Sequence, residues 1–363
     1  MLFQHYSCHL DTQKSLLTLF GRTKDGSVAI HTKIKPFLIC SKDPRYCFDP
    51  EDQLLNRFTS TAIKGNDITN WGARVFYKAD FNSVIDFYII RKRLRMRGVK
   101  FYDDQVNLES QWFIKRDIRP CSCFQVEVNK FRGARTTCDA EYFLKSIKTD
   151  KSYIAPLVLS YDLECLSLSG GFPDPSKDPI ITIGCFSDKE SKCFCLNDTP
   201  GYDSFQNERQ MIKAFLAYVS ELSPDFLTGY NINRFDNTYL ETRCKIHRIH
   251  FRWSRVKGYI STIKHITTRS NQKGTQEQYQ LDLPGIVVMD GYEVMRGQHN
   301  LSRYSLESVC QHFLGTGKDD MPYDQIPVKF QTPEGRKQLA DYCVKDCKLV
   351  IDLFDKLKKI INL

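Results

Sequence analysis

Carboxylates stand where apolar side chains belong. In Leu157-Val158-Leu159-Ser160-Tyr161-Asp162-Leu163-Glu164-Cys165-Leu166, strand alternation puts Asp162 and Glu164 on one face. Leu159, Tyr161, Leu163 and Cys165 point the other way. Burying two adjacent acids on one face is unfavourable unless a cation or hydrogen-bond donors compensate. A second anomaly lies near the C-terminus, where Leu339, Tyr342, Asp346, Leu349 with Val350, Leu353 and Leu357 form a helical stripe. Asp346 takes a slot fit for leucine; it either pairs with Arg or Lys or binds a metal. Tyr342, one turn earlier on the same face, is placed to orient a water. Between these lies Gly229-Tyr230-Asn231-Ile232-Asn233-Arg234-Phe235-Asp236. There Asp236 either caps a helix or sits at the carboxyl end of a sheet, where α/β sites gather. Four acids meeting at one point can hold two divalent ions about 4 Å apart. All-oxygen ligands favour Mg²⁺ or Mn²⁺ over zinc.

The elements needed to position these acids are legible. Strands are expected at Leu157 to Leu166 and Pro179 to Ser187, joined by a Pro-rich loop at 172–179. A helix over 205–221, a short strand Asp225 to Gly229 and a helix through Leu240 and Arg243 follow. Leu281 to Asp290 reads as a strand after the Pro284-Gly285 break, and 303–314 as a helix. Thr332-Pro333 then opens a long helix with a capping residue and a proline at its first position. This is a mixed α/β pattern.

The front of the chain has another character. Leu16 to Phe20 and Val28 to Ile34 flank an Asp25-Gly26 turn, a hairpin cue. Residues 83–97 read as a helix capped by Asn82 or Ser83, with Val84, Phe87, Ile90 and Leu94 as its stripe and Gly98 as its stop. Its Arg91-Lys92-Arg93-Leu94-Arg95-Met96-Arg97 run is either a solvated face or a phosphate contact. The polar stretch 133–153 is the candidate boundary between a domain at 1–150 and one at 151–363.

Composition sets limits. The 363 residues are 41% hydrophobic and 26% charged, which excludes disorder or low complexity as a description of the whole. No apolar run reaches the roughly 18 residues of a membrane helix, and the N-terminus carries no visible secretory signal. A soluble, intracellular chain is expected. The net charge of +9 is uneven: residues 1–150 hold 25 Lys and Arg against 17 Asp and Glu, residues 151–363 hold 27 against 26. The front half thus favours a polyanion. The 14 cysteines include no Cys-x-x-Cys and are expected to be reduced, mostly buried thiols. Cys244-x-x-His247-x-x-His250 offers zinc-like ligands but no fourth partner nearby.

Asp162-Leu163-Glu164, Asn231 through Phe235-Asp236, and Tyr342 through Asp346 together resemble the three exonuclease motifs of family B DNA polymerases. Those are Asp-x-Glu on a strand, Asn-x-x-x-Phe-Asp before a helix and Tyr-x-x-x-Asp on a helix. Order and context agree. Pro179-Ile180-Ile181-Thr182-Ile183-Gly184 is similar to the family's second exonuclease strand. Asp290 with Tyr304-Ser305-Leu306-Glu307-Ser308-Val309 and Phe313-Leu314-Gly315 is similar to the stretch before its third motif. Phe101-Tyr102-Asp103-Asp104 and Ile114-Lys115-Arg116-Asp117-Ile118 look like its N-terminal domain, so the resemblance runs from about residue 75 onward.

The resemblance implies a ribonuclease-H-like exonuclease domain preceded by a smaller α+β N-terminal domain. It implies 3′–5′ proofreading hydrolysis with two divalent cations, Mg²⁺ or Mn²⁺, releasing nucleoside monophosphates. Asp162 would bridge both ions, Glu164 and Asp346 would serve the ion that activates water, and Asp236 the second. Tyr342 would orient the nucleophile, while Asn231 and Phe235 would support the 3′-terminal nucleotide of DNA. The partners implied are single-stranded DNA or a frayed primer 3′ end, with primer–template reached through a full-length polymerase, and no membrane. The host nucleus is the implied compartment, with the cytoplasm left open, and the divergent linkers suggest a large DNA virus. Lys264 to Gln280 falls where the family carries a strand-separating β-hairpin; a plain surface loop is the alternative. The chain stops 17 residues after Asp346 and has no Ser-Leu-Tyr-Pro or Tyr-x-Asp-Thr-Asp, so a fragment or truncated product without polymerase activity is expected. A stand-alone exonuclease and a catalytically silent nucleic-acid- or partner-binding module of the same fold are the competing readings.

Overall fold

The computed structural model describes residues 1–67, 72–167, 171–270, 274–317 and 321–357. The chain forms two compact units. One comprises Met1–Phe20, Val28–Arg132 and Ala140–Tyr153; the other takes in Gly21–Ser27, Gly133–Asp139 and Ile154–Leu363. Among the described residues no helix is long and apolar enough to cross a membrane.

The first unit is built mostly from strands β1 (Leu2–Asp11), β2 (Leu16–Thr23), β3 (Gly26–Lys33), β4 (Phe37–Cys40), β5 (Phe58–Asp67) and β6 (Gly72–Phe81), with the Gly21–Ser27 ends of β2 and β3 counted in the second. Helices α1 (Val84–Met96) and α2 (Leu108–Ile114) follow, then β7 (Cys123–Lys130) and β8 (Ala140–Asp150). The order β1-β2-β3-β8-β7 closes into a barrel, and β4-β6-β5 is a separate sheet. Helix α1 is capped by Ser83 and buries Val84, Phe87, Ile90 and Leu94, the stripe read from the sequence. Its arginines are largely engaged: Arg91 and Arg95 pair with Asp104, and Arg93 with Asp52. That favours the structural reading of the run. The polar stretch 133–153 contains β8, an eleven-residue strand left half-exposed on the barrel, which hides its period-two signal.

The second unit holds β9 (Val158–Cys165), β10 (Ile180–Ser187), β11 (Ser191–Leu196), β12 (Asp203–Phe205), α3 (Glu208–Leu222), β13 (Phe226–Gly229) and α4 (Asp236–Ile246). Next come β14 (Thr262–Ser270), β15 (Gly274–Asp282), β16 (Val287–Asp290), α5 (Gly291–Gln298), α6 (Leu306–Leu314), α7 (Ile326–Phe330) and α8 (Pro333–Leu357). Six strands form a sheet in the order β12-β11-β10-β9-β13-β16. β9 lies antiparallel to β10 and parallel to β13, so it is central and buried on both faces.

On one face Leu159, Tyr161, Leu163 and Cys165 pack with Met211, Ile212, Phe215 and Val219 of α3 and with Tyr239 and Leu240 of α4. Helix α8 covers the other, with Leu339 against Ile181 and Ala340 against Cys193 and Cys195. Thr332 accepts from the Gly335 N–H and so caps α8, with Pro333 as its first residue. Gly184 sets how close this helix comes. A Cβ there would lie 2.7 Å from Cys343 Sγ and 2.8 Å from its carbonyl carbon.

Residues 281–298 depart from the sequence reading. Leu281 to Asp290 is not one strand: β15 ends at Asp282, the chain turns through Pro284-Gly285, and β16 begins at Val287. Helix α5, directly after Asp290, had no expected counterpart; it is short and its glycines at 291 and 297 mask helical propensity. Residues 264–280 do form an antiparallel hairpin, β14–β15, whose tip at 271–273 lies outside the described residues.

Candidate active site

The acid face of β9 meets α8. The Cys343 thiol donates toward the main-chain carbonyl of Asp162, 3.3 Å away, and lies 3.6 Å from Asp162 Oδ2. The Gly184 N–H donates to the same sulfur at 3.2 Å. Donor atoms of Asp162, Glu164 and Cys343 all fall within 4.8 Å of one another. Among the described residues this is the one grouping of three or more such side chains. Glu164 is buried and Asp162 half-buried.

Asp236 reaches the same place from the other side. It opens α4, but it does not cap it: the capping position is Phe235, which makes no side-chain cap bond. Instead the Asp236 carboxylate accepts from the Leu163 N–H, between Asp162 and Glu164, at 3.0 Å. Burial, then the neighbouring Asp162, hold its carboxyl well above the ordinary carboxylate range. Asn237 next to it accepts from the buried Tyr161 hydroxyl at 2.6 Å. The start of α4 is thus pinned to β9 at two points.

Asp290, at the end of β16, shapes the approach to α4. Its carboxylate accepts from the N–H groups of Asn231, Asn233 and Tyr292 at 2.8, 2.9 and 2.9 Å. Asn231 sits at φ +66°, a left-handed conformation that asparagine tolerates better than most residues. Gly229 permits the turn before it, since a Cβ would lie 2.5 Å from the Tyr161 carbonyl oxygen. Burial raises the Asp290 carboxyl to about 6 despite these three donors.

A cleft of about 850 Å³ opens over these groups. Asp162, Glu164, Asn231, Phe235, Asp236, Tyr342 and Asp346 all line it. Every residue singled out from the three motifs therefore meets at one place. Tyr342 and Asp346 reach it from the buried side of α8. Phe235 packs edge-on against Phe172, ring centroids 5.4 Å apart, and Phe172 is 72% exposed at the rim. Sequence reasoning passed over Phe172, Asn237 and Cys343, and named Asp290 only within the stretch before the third motif, with no role at the site. Asp290 carried a signal as the last residue of an apolar run, whereas Cys343 looked like any buried thiol.

The alternative zinc ligands do not assemble. His247 bonds Glu208 at 2.6 Å, and Cys244 is buried in the apolar core with Phe251 and Trp253. Tyr102-Asp103-Asp104 is structural: Asp103 accepts from the Ile39 N–H and Asp104 pairs with Arg91.

A sequence model described as DNA polymerase family B, exonuclease domain, matches residues 99–309, more than half of the chain. This chain belongs to the family B DNA polymerases. The match covers Asp162, Glu164 and Asp236 and stops short of α8, which supplies Tyr342 and Asp346. The chain is similar to the DNA polymerase delta catalytic subunit of Schizosaccharomyces pombe, 37% identical over 58% of this chain and 21% of that protein. The subunit of that name from Dictyostelium discoideum is 30% identical over 73% of this chain and 26% of its own length. The chain therefore spans about a quarter of these curated relatives. The solved structure of the family B DNA polymerase from the archaeon Pyrobaculum calidifontis shares the fold, with TM-score 0.76 and 19% identity over 98% of this chain and 46% of that one. The mixed α/β architecture is that of a ribonuclease-H-like family B exonuclease domain.

Proposed function

We propose that this chain is the 3′–5′ proofreading exonuclease region of a family B DNA-directed DNA polymerase, acting by two-metal-ion hydrolysis. The observation that carries the reading is the convergence of Asp162, Glu164, Asp236, Tyr342 and Asp346 on one cleft from three separate elements. The donor set fits hard divalent cations, because carboxylate oxygens dominate it and the Cys343 thiol grouped with them is held well above its ordinary range by burial and Asp162. Bound there, two Mg²⁺ or Mn²⁺ ions would polarise the attacking water and stabilise the leaving 3′ oxygen.

The protein groups would divide the work by position. Asp162, grouped with Glu164 and a charged neighbour of Asp236, would help hold both ions. Glu164 and Asp346 would hold the ion on the water side, and Asp236, fixed to the Leu163 N–H, the other. Tyr342 would direct the water with its hydroxyl. Phe235, backed by Phe172, would press against the terminal base, a contact that tolerates any sequence. Asn231, held by Asp290, would face the terminal sugar. The substrate class is a single-stranded or frayed DNA 3′ end, presented at replicating DNA by a longer polymerase, with the nucleus as the proposed compartment.

The test is product chemistry. Incubating a single-stranded oligonucleotide with Mg²⁺ and separating the products should give nucleoside 5′-monophosphates, while a 3′-blocked oligonucleotide should resist. Internal cuts on the blocked strand would overturn the exonuclease reading, and tight binding without products would favour a silent DNA-binding module.

A further inference from the structure

The second unit carries a groove whose rim is basic. It is lined by Arg209, Lys213, Leu216, Ala217 and Ser220 of α3 and by Arg248, Ile249, His250 and Arg252, and encloses about 460 Å³. Arg209, Lys213, Arg248, His250 and Arg252 are exposed, and no carboxylate lines the groove. Among the described residues these five side chains make no ion pair; Arg209 Nε donates to the His247 carbonyl at 3.1 Å. The arrangement is held from beneath. Glu208, buried at the start of α3, binds Arg243 at 2.8 Å and His247 at 2.6 Å, tying the end of α4 to α3. The segment that carries Arg248 and Arg252 thus leaves a fixed point. Arg209, Lys213 and Ser220 fall on one side of α3, a row about 16 Å long.

We propose that this groove binds the phosphates of a DNA strand outside the catalytic cleft, an inference that takes its polyanion from the proposed function. Helix α3 packs on the face of the sheet opposite α8, so the groove is separated from the carboxylates by the sheet. It cannot hold the scissile phosphate. The floor offers little apolar area, with Leu216 buried, Ala217 small and Ile249 half-buried, and no Phe, Tyr or Trp lines it. Stacked bases and the apolar anchors of an acidic protein helix both lack a seat, whereas charges on two walls suit a phosphate backbone. Binding here is therefore independent of sequence and steep in salt.

The experiment is fluorescence anisotropy on the full chain in chelator, with a labelled 30-nucleotide single strand titrated from about 50 to about 200 mM salt. Arg248→Ala with Arg252→Ala should weaken binding several-fold and lower the salt slope by about 1.4, and Lys213→Ala, on the other wall, by about 0.7. Circular dichroism melting confirms that each variant is folded. Unchanged affinity and slope in both would overturn the proposal. So would DNA binding that is unchanged while a labelled oligoglutamate peptide loses affinity, which would assign the groove to an acidic protein. Because no cleavage occurs in chelator, an inactive nuclease that still loses DNA affinity through these variants would refute the catalytic reading alone.

Discussion

The Asp236 carboxylate accepts the Leu163 N–H at 3.0 Å, midway between Asp162 and Glu164 on the neighbouring strand. One backbone donor thus fixes the separation between the acid on α4 and the pair on β9. Asp236→Ala would remove a buried acceptor and leave that N–H without its partner, which typically costs about 1–3 kcal/mol. The expected result is a lower melting temperature together with nuclease loss. Asp236→Asn can keep the acceptor, so it should lose activity with a far smaller fall in melting temperature. Equal destabilisation by the two variants would contradict this role.

Asp162→Ala and Glu164→Ala should behave differently. These acids face a cleft and α8, and the apolar core lies on the other side of β9. Cleavage should fall by orders of magnitude while circular dichroism and cooperative melting persist. A variant that unfolds would mean that the carboxylates hold the sheet together.

Three of the four acids were readable because each breaks a local pattern. Asp162 and Glu164 interrupt an apolar strand, and Asp346 interrupts a leucine stripe. What fixes their spacing was not readable. Gly184 matters because it lies under Cys343, a contact between β10 and α8 that sequence distance conceals. Asp290 reads as the end of a strand until its three N–H donors are seen. Asp236 looks like a helix cap because the Leu163 N–H it accepts belongs to another element.

Gly184→Ala follows from that contact. The added carbon meets the sulfur and backbone of Cys343, neither of which can swing away as a long flexible side chain would. Overpacking of this kind costs about 1–3 kcal/mol. Since α8 carries Tyr342 and Asp346, activity should fall together with melting temperature. Wild-type stability in Gly184→Ala, measured by thermal melting, would show that α8 does not press on β10.

Asp290 gives a pH dependence. Burial raises its carboxyl to about 6, above the ordinary 3.8. The folded chain therefore keeps this proton longer than the unfolded chain does. Its contribution, on the order of 3 kcal/mol, is present below pH about 4 and lost as pH rises through about 6. Asp236, also raised, acts in the same sense. Asp290→Asn cannot titrate, so melting temperature in chelator should fall less between pH 4 and 6 than in wild type. An unchanged pH slope would remove this assignment.

Asp346→Asn separates a metal site from a salt bridge. If the acids repel in chelator, removing one charge should raise the melting temperature and abolish most of the stabilisation that Mn²⁺ gives wild type. If Asp346 is instead paired with a buried cation, the same change should lower it by about 3–5 kcal/mol of stability.

The most direct test of the central claim is a time course with a 5′-labelled single strand, run on wild type and on the Asp162→Ala, Glu164→Ala double variant, in Mn²⁺ and in chelator. Wild type with Mn²⁺ should give a ladder that shortens one nucleotide at a time from the 3′ end, with no ladder in the other three reactions. A ladder from the double variant equal to that of wild type, with contaminating nuclease excluded, would contradict the assignment of catalysis to this cleft.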